Sequence, residues 1–305
     1  MCSSDLSIGA TYLMPGNGEA TDDVLSRADI ACYTAKEHGR NRTHIYSAAD
    51  ESMHHRHAEL QELAQLKSAM ASGLFKLNAQ RIIRLDGEGA EAPFYEVLLR
   101  HADTGPHGTI EDLLGMARRY GLIGEVDRWV WGEAAKMLAR TGERGLRLSV
   151  NVSASTLESE GFQAYITALP GQHGFAADRM VLEITEAVAV QNLTRAVESL
   201  AALRAQGFGI ALDDFGAGVA SFGYLSELPV TLVKLDGRFV RDLAKDPAAE
   251  VVIGALAKLA KLRGILCIAE WVEDTTLLPR LAALGVDYAQ GYGIHRPEPL
   301  ENLTP

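Results

Sequence analysis

Cysteine is scarce in this chain: three in 305 residues, Cys2, Cys32 and Cys267, far apart and with no CxxC pair. That spacing argues against a disulfide framework and a cysteine-built zinc cluster, and it fits a reducing compartment. Positive charge is in deficit. Lys and Arg total 29 against 40 Asp and Glu, a net charge of −11. A chain that coats nucleic acid or an anionic membrane needs a basic face, so neither is an expected partner. A single phosphate site is not excluded, because a bound metal inverts the local field. Long apolar runs are missing as well: none approaches the ~18 residues of a membrane span. The start, MCSSDLSIGA, has neither the basic nor the apolar stretch of a secretory leader. The expectation is a cytoplasmic chain with no membrane segment of its own. What is present, 47% hydrophobic and 7% aromatic residues, suits a large folded core.

Residues 1–46 read as strand, loop, helix and strand. Leu6–Leu13 is apolar and partly alternating, and Pro15, Gly16 and Gly18 mark a loop. Val24, Leu25, Ala28, Ala31, Cys32 and Ala35 make one helical face, Gly39 is a stop signal, and His44–Tyr46 begins a short strand. Residues 47–73 carry Leu60, Leu63, Leu66 and Met70 at helical spacing and predict a linker helix, with His54, His55 and His57 on its solvated side.

From residue 74 to 305 the pattern changes. Strand-like runs fall at Phe75–Ile83, Pro93–Arg100, Leu146–Val152, Met180–Thr185, Gly209–Leu212, Thr231–Leu235, Ile265–Ala269 and Tyr288–Tyr292. Helix-length segments separate most of them, among them Ile110–Tyr120, Glu125–Arg140, Leu193–Gln206, Glu250–Leu262 and Thr276–Leu284. Eight strands alternating with helices predict an α/β fold, a TIM-type (β/α)8 barrel preceded by a small α/β fragment and a linker helix. An open doubly wound sheet would carry a Gly-rich phosphate loop after its first strand, and none follows Phe75–Ile83.

In such a barrel the C-terminal strand ends build the active site. Those ends carry Glu96, Asn151, Glu183, Asp213 and Asp214, Lys234 and Asp236, Glu270 and Gln290. Six acids, with Asn151 among them and one lysine, are too many carboxylates to neutralise as structural ion pairs. Ligands that are all oxygen select Mg²⁺ or Mn²⁺ over zinc. The adjacent Asp213–Asp214 pair suits two cations, the arrangement of hydrolytic phosphoryl transfer.

At these residues the sequence resembles the EAL-domain family of cyclic di-GMP phosphodiesterases. The likeness runs from about Ala58 to Leu300. It rests on Glu96-Val97-Leu98-Leu99-Arg100, Asn151-Val152-Ser153, Glu183-Ile184-Thr185-Glu186, Asp213-Asp214-Phe215-Gly216-Ala217-Gly218, Lys234-Leu235-Asp236, Ala269-Glu270-Trp271-Val272-Glu273 and Gln290-Gly291-Tyr292, seven motifs in family order. Two positions depart: Trp271 stands where the family has glycine, and Arg81 follows Gln80 where it has proline. Residues 1–46 resemble the C-terminal end of a GGDEF diguanylate cyclase domain, through Ser7-Ile8-Gly9, Ala28–Lys36 and Gly39-Arg40-Asn41-Arg42, without the GGDEF motif itself.

The resemblance implies hydrolysis of cyclic di-GMP to linear pGpG. It assigns Glu96, Asn151, Glu183 and Asp213 to one cation, and Asp213, Asp214 and Glu270 to a second, with Glu270 as general base and Lys234 orienting water or offsetting phosphoryl charge. It places Gln80, Leu98, Arg100, Asp214, Glu273 and Gln290 at the substrate, and Glu186 and Asp236 behind the site, Glu186 as anchor of the loop after Asp214. Two Mg²⁺ or Mn²⁺ ions, inhibition by Ca²⁺ and a homodimer are further implications. The alternative is a catalytically silent cyclic di-GMP receptor. Such degenerate domains lose metal ligands, and none is missing here.

Overall fold

The structure is a computed structural model and describes residues 6–12, 21–47, 75–87, 92–101, 109–142, 146–216 and 223–303. The proposed linker helix, with its histidines, lies outside the described residues apart from Ser47. The chain divides into two compact units, Met1–Ala71 and Ser72–Pro305.

In the first unit, strand β1 (Ile8–Ala10) and strand β2 (Thr43–Ile45) pair in parallel and the helix Thr21–Glu37 joins them. The helix lies directly on β1. A Cβ at Gly9 would sit 2.1 Å from the Ala28 carbonyl oxygen and 2.2 Å from the Cys32 nitrogen, so only glycine permits this approach. Ala31 and Ala35 are buried beneath it, and Gly39, at φ +102°, ends the helix.

The second unit is a closed barrel of eight strands: β3 (Phe75–Arg84), β4 (Phe94–His101), β5 (Arg147–Asn151), β6 (Met180–Thr185), β7 (Gly209–Phe215), β8 (Leu232–Leu235), β9 (Leu266–Ala269) and β10 (Tyr288–Ala289). Strands β4 to β10 run parallel in chain order. β3 runs antiparallel to both of its barrel neighbours, β4 and β10. The expected barrel is thus present, with its first strand reversed. The short connection from Leu85 to Pro93 is the reason: a parallel crossover needs about a dozen residues or more, a hairpin far fewer. A short strand β11 (Glu298–Pro299) continues along the β3 edge.

The helices follow the expected segments within a few residues, as in Ile110–Arg119, Ile123–Arg140 and Pro247–Leu262. A further helix, Glu160–His173, forms although it contains Gly161, Pro170 and Gly171. The helix tolerates Pro170 near its end, where it stops at Gly174 with φ +73°. It packs against Ile123–Arg140, with Phe162 edge-on to the fully buried Trp131, ring centroids 6.1 Å apart.

One apolar layer plugs the barrel floor: Ile82, Phe94, Val181, Ala211, Leu232, Ile268 and Tyr288, all buried. It takes a residue from every barrel strand except β5. There Arg147 lays its guanidinium over the Phe94 ring, 4.6 Å from the centroid.

Candidate active site

The floor dictates where the polar residues point. Inward side chains recur every second residue along a strand. Two positions beyond the plug, Phe94 gives way to Glu96, Val181 to Glu183, Ala211 to Asp213, Leu232 to Lys234, Ile268 to Glu270 and Tyr288 to Gln290. β3 runs the other way, so its step from Ile82 is backwards, to Gln80. An apolar layer therefore carries a layer of acids and amides on its upper side, at the C-terminal mouth of the parallel strands.

Lys234 is the centre of that layer, 1% exposed. Its Nζ lies 3.1 Å from Glu96 Oε2, 2.9 Å from Glu270 Oε1 and 3.3 Å from Asp213 Oδ1, and it donates to Glu183 Oε1. The Ser149 hydroxyl donates to the other oxygen of Glu183. Asn151 Nδ2 donates to Glu96 Oε1 at 3.2 Å. Gln290 Nε2 reaches Glu96 Oε2 at 2.6 Å and Gln80 Oε1 at 3.1 Å, and Gln80 Nε2 donates to the His295 carbonyl at 3.0 Å.

Four carboxylates share one ammonium, and their protonation reflects it. Burial, then the charge of Glu96, pushes Glu183 well above the ordinary glutamate range. Burial lifts Glu270 to about 8, against the pull of Lys234. Burial alone would lower Lys234, but Glu183, Glu270, Glu96 and Asp213 together hold it well above its usual value.

Asp214 joins the site through a break in strand geometry. In a regular strand Asp213 and Asp214 would face opposite sides. Between the pairs Leu212–Val233 and Phe215–Leu235, β7 holds one more residue than β8, a bulge. Asp214 takes φ +55° there, a left-handed conformation that aspartate tolerates better than most residues. Carboxylate oxygens of Asp213, Asp214 and Glu270 can then all lie within 4.8 Å of one another. Burial and the neighbouring Asp213 raise Asp214 above the usual aspartate range.

This donor set fits hard divalent cations. All the ligand atoms are oxygens, and negative charge exceeds the one lysine. Asp213 Oδ1 is also buried with no hydrogen-bond partner among the described residues. Its one charged contact is the Lys234 ammonium at 3.3 Å, and its carboxylate belongs to the Asp213–Asp214–Glu270 cluster, where a cation would satisfy the oxygen.

The remaining expected residues fall around this core. Glu186, buried, accepts from Gly216 N at 2.9 Å and from the Tyr224 hydroxyl, and so ties the two ends of the segment that follows Asp214. Leu98 and Arg100 continue the Glu96 face of β4 outward, and Arg100 Nη1 donates to the Leu99 carbonyl at 2.9 Å. Asp236 caps the helix Gly237–Asp242 and pairs with Arg238, Nε to Oδ1 2.9 Å, and its charge also bears on Asp214. Glu273 is exposed. Trp271, in the family's glycine position, has φ +55°. Glycine is at ease in that conformation, whereas another L-residue is strained by about 1–2 kcal/mol.

Sequence reasoning missed three supports. Ser149 was legible as the inward position two before Asn151 on β5. Tyr224 had no sequence signal. Asp127 looks like any helix acid, yet it is buried and accepts from Ser153 N at 3.1 Å and Ser153 Oγ at 2.7 Å, fixing the turn after Asn151. Burial raises it above the usual aspartate range.

Fold and site together define a TIM-type barrel with an acid-rich centre, carboxylates gathered around Lys234, at its strand C-termini. The EAL domain family matches residues 63–297, and the chain belongs to that family. It is 36% identical over 304 residues to the cyclic di-GMP phosphodiesterase PdeB of Shewanella oneidensis, covering 97% of this chain and 35% of that protein. It is 31% identical to the bifunctional diguanylate cyclase/cyclic di-GMP phosphodiesterase MucR of Pseudomonas aeruginosa, covering 97% of this chain and 43% of that protein. The chain thus spans well under half the length of either relative. Among solved structures, the PaMucR phosphodiesterase in complex with c-di-GMP superposes with a TM-score of 0.71 at 29% identity, over 79% of this chain and 98% of that one. The FimX EAL domain of Pseudomonas aeruginosa bound to c-di-GMP also gives 0.71, at 28% identity, over 78% of this chain and 96% of that one. Among the described residues no helix is long and apolar enough to cross a membrane.

Proposed function

We propose that the chain hydrolyses cyclic di-GMP to linear pGpG with two Mg²⁺ or Mn²⁺ ions. The observation that carries this reading is the convergence of Glu96, Glu183, Asp213 and Glu270 on Lys234, with Asp214 turned into the same site by the β7 bulge. Glu96, Asn151, Glu183 and Asp213 would hold one cation, and Asp213, Asp214 and Glu270 the other. Bound there, the cations would supply an activated water at neutral pH and Lewis-acid stabilisation of the phosphate.

The chain's own groups do the rest. Glu270, lifted towards neutrality by burial, takes the proton of the attacking water on its carboxylate. The Lys234 ammonium offsets charge growing on the phosphoryl oxygens. Arg100 can hold a phosphate through two parallel N–H bonds. Gln80, Leu98, Asp214, Glu273 and Gln290 complete the substrate contacts, and Glu186 holds the segment after Asp214. Asp236 acts from behind, by capping the helix that follows Lys234.

Three finer readings accompany this one. Residues 1–46 would be the C-terminal end of a GGDEF domain, supported by the parallel strand–helix–strand unit and by an alignment with the bifunctional relative over 97% of the chain. The chain would pair as a homodimer through the segment Asp214–Leu225. Ca²⁺, larger and looser in coordination, would occupy the site and inhibit.

The test is incubation of the chain with cyclic di-GMP and Mg²⁺ or Mn²⁺, with pGpG separated and quantified. Turnover is expected, and Glu96→Ala and Glu270→Ala should each abolish it. Tight binding without turnover would establish the silent-receptor reading instead, for which the specific observation is Trp271 beside Glu270.

A further inference from the structure

Trp271 is strained, exposed and held in place at once. Its φ of +55° is a conformation that side-chain-bearing residues avoid. It follows Glu270 directly, at the C-terminal end of β9, on the rim of the Lys234 cluster. Its ring is seated on the helix that starts after Lys234 and Asp236. A Cβ at Gly237 would lie 2.2 Å from Trp271 Cγ and Cδ2, so that glycine is the floor under the ring. The Arg241 guanidinium stands 5.0 Å from the ring centroid. Gly237 and Arg241 are four residues apart on one helix, hence on one side of it. The ring lies against that side, and the residue remains 52% exposed.

Strained backbone persists where the surroundings hold it, and it concentrates at ligand sites. Here glycine would suit the backbone, and a tryptophan is kept with its ring pinned beneath and open above. A pinned indole offers a flat π-surface whose ordering is already complete before a ligand arrives. A purine base is the partner that such a surface takes best, because base–aromatic stacking needs a rigid ring and little hydrogen bonding. Arg241 holds the ring's orientation by cation–π contact.

We infer that Trp271 is an aromatic shelf on the rim of the site, and that one purine base of the cyclic dinucleotide stacks on it. This subsite rests on the reading of the chain as a cyclic di-GMP protein and adds a binding determinant that the family's glycine cannot provide. Trp271 is a binding residue in this role, not a catalytic one.

The experiment is calorimetric titration of cyclic di-GMP, with chelator present so that no turnover intervenes, into the parent chain, Trp271→Gly and Trp271→Phe. Trp271→Gly relieves the backbone and should fold at least as well, which thermal melting checks in the same samples. The glycine variant is expected to bind roughly 10–100-fold more weakly, and the phenylalanine variant to recover most of the loss. The parent's tryptophan fluorescence should be quenched on binding, and that quenching should vanish in Trp271→Gly. A merely structural role would move neither the quenching nor the phenylalanine rescue. Unchanged or tighter binding by Trp271→Gly overturns the shelf and leaves the hydrolase reading standing. A parent that binds with quenching but never turns over keeps the shelf and overturns only the hydrolase. A parent that binds cyclic di-GMP neither in chelator nor with Ca²⁺, which would fill the site without turnover, overturns both.

Discussion

Replacing Lys234 with methionine removes one charge and little volume from a fully buried position. The ammonium contacts Glu96, Glu183, Asp213 and Glu270. Without it these carboxylates have no cation among them, and breaking a buried ion pair from one side costs about 3–5 kcal/mol. Protonation sets an upper limit on that cost: Glu270 at about 8 and Glu183 well above its usual range take up protons rather than stay charged. For a unit of this size each kcal/mol shifts Tm by about 2–4 °C, so a fall of roughly 10 °C is expected. The assay is thermal melting by circular dichroism at about pH 8 in chelator, repeated with Mg²⁺ and again at acidic pH. Lys234→Met should lose its stability in chelator, regain much of it with Mg²⁺, and differ least from the parent under acid. A variant that melts within ~2 °C of the parent at pH 8 without metal would refute the idea that Lys234 neutralises this cluster.

The parent's own pH dependence follows from the same groups. Folded Glu270 keeps its proton up to about 8, while the unfolded chain releases it near 4.5. The stability this contributes is full below about 4.5 and is lost as pH rises towards 8. Melting in chelator across that window should show the decline, and saturating Mg²⁺ should flatten it by binding the ionised form. Asp214→Gly releases the φ +55° strain and should raise metal-free stability by about 1 kcal/mol, while phosphodiesterase activity is lost; a denaturant melt beside the hydrolysis assay checks both. Glu186→Ala removes the acceptor for Gly216 N and the Tyr224 hydroxyl. About 10–100-fold lower turnover is expected, with a smaller loss in Tyr224→Phe, read from initial rates.

Much of this architecture is written in strand periodicity. Phe94/Glu96, Val181/Glu183, Leu232/Lys234 and Ile268/Glu270 repeat the same apolar–polar step in four separate strands. A step of two residues is enough to place the acids above the floor without knowing which strands pair. Local spacing does not reveal strand direction. The reversal of β3 is set by a connection too short for a helix, and eight strand-like runs alone fit an all-parallel barrel equally well. Asp213 and Asp214 were legible as an adjacent pair, but not how both face inward, because a bulge depends on register against β8. Asp236 ends its strand like Glu270 does, yet its carboxylate is drawn to Arg238 and the helix cap. That competition is tertiary, and sequence position alone does not show it. Tyr224 escaped notice because its partner Glu186 is distant in the chain.

Manganese bound to the Asp213 cluster can be counted by electron paramagnetic resonance while cyclic di-GMP hydrolysis is followed in the same samples. Turnover should rise with bound Mn²⁺, stop on chelation, and disappear together with Mn²⁺ binding in Asp213→Asn. Hydrolysis that survives chelation, or that continues undiminished in Asp213→Asn, would contradict a metal-dependent site built on this ring of carboxylates.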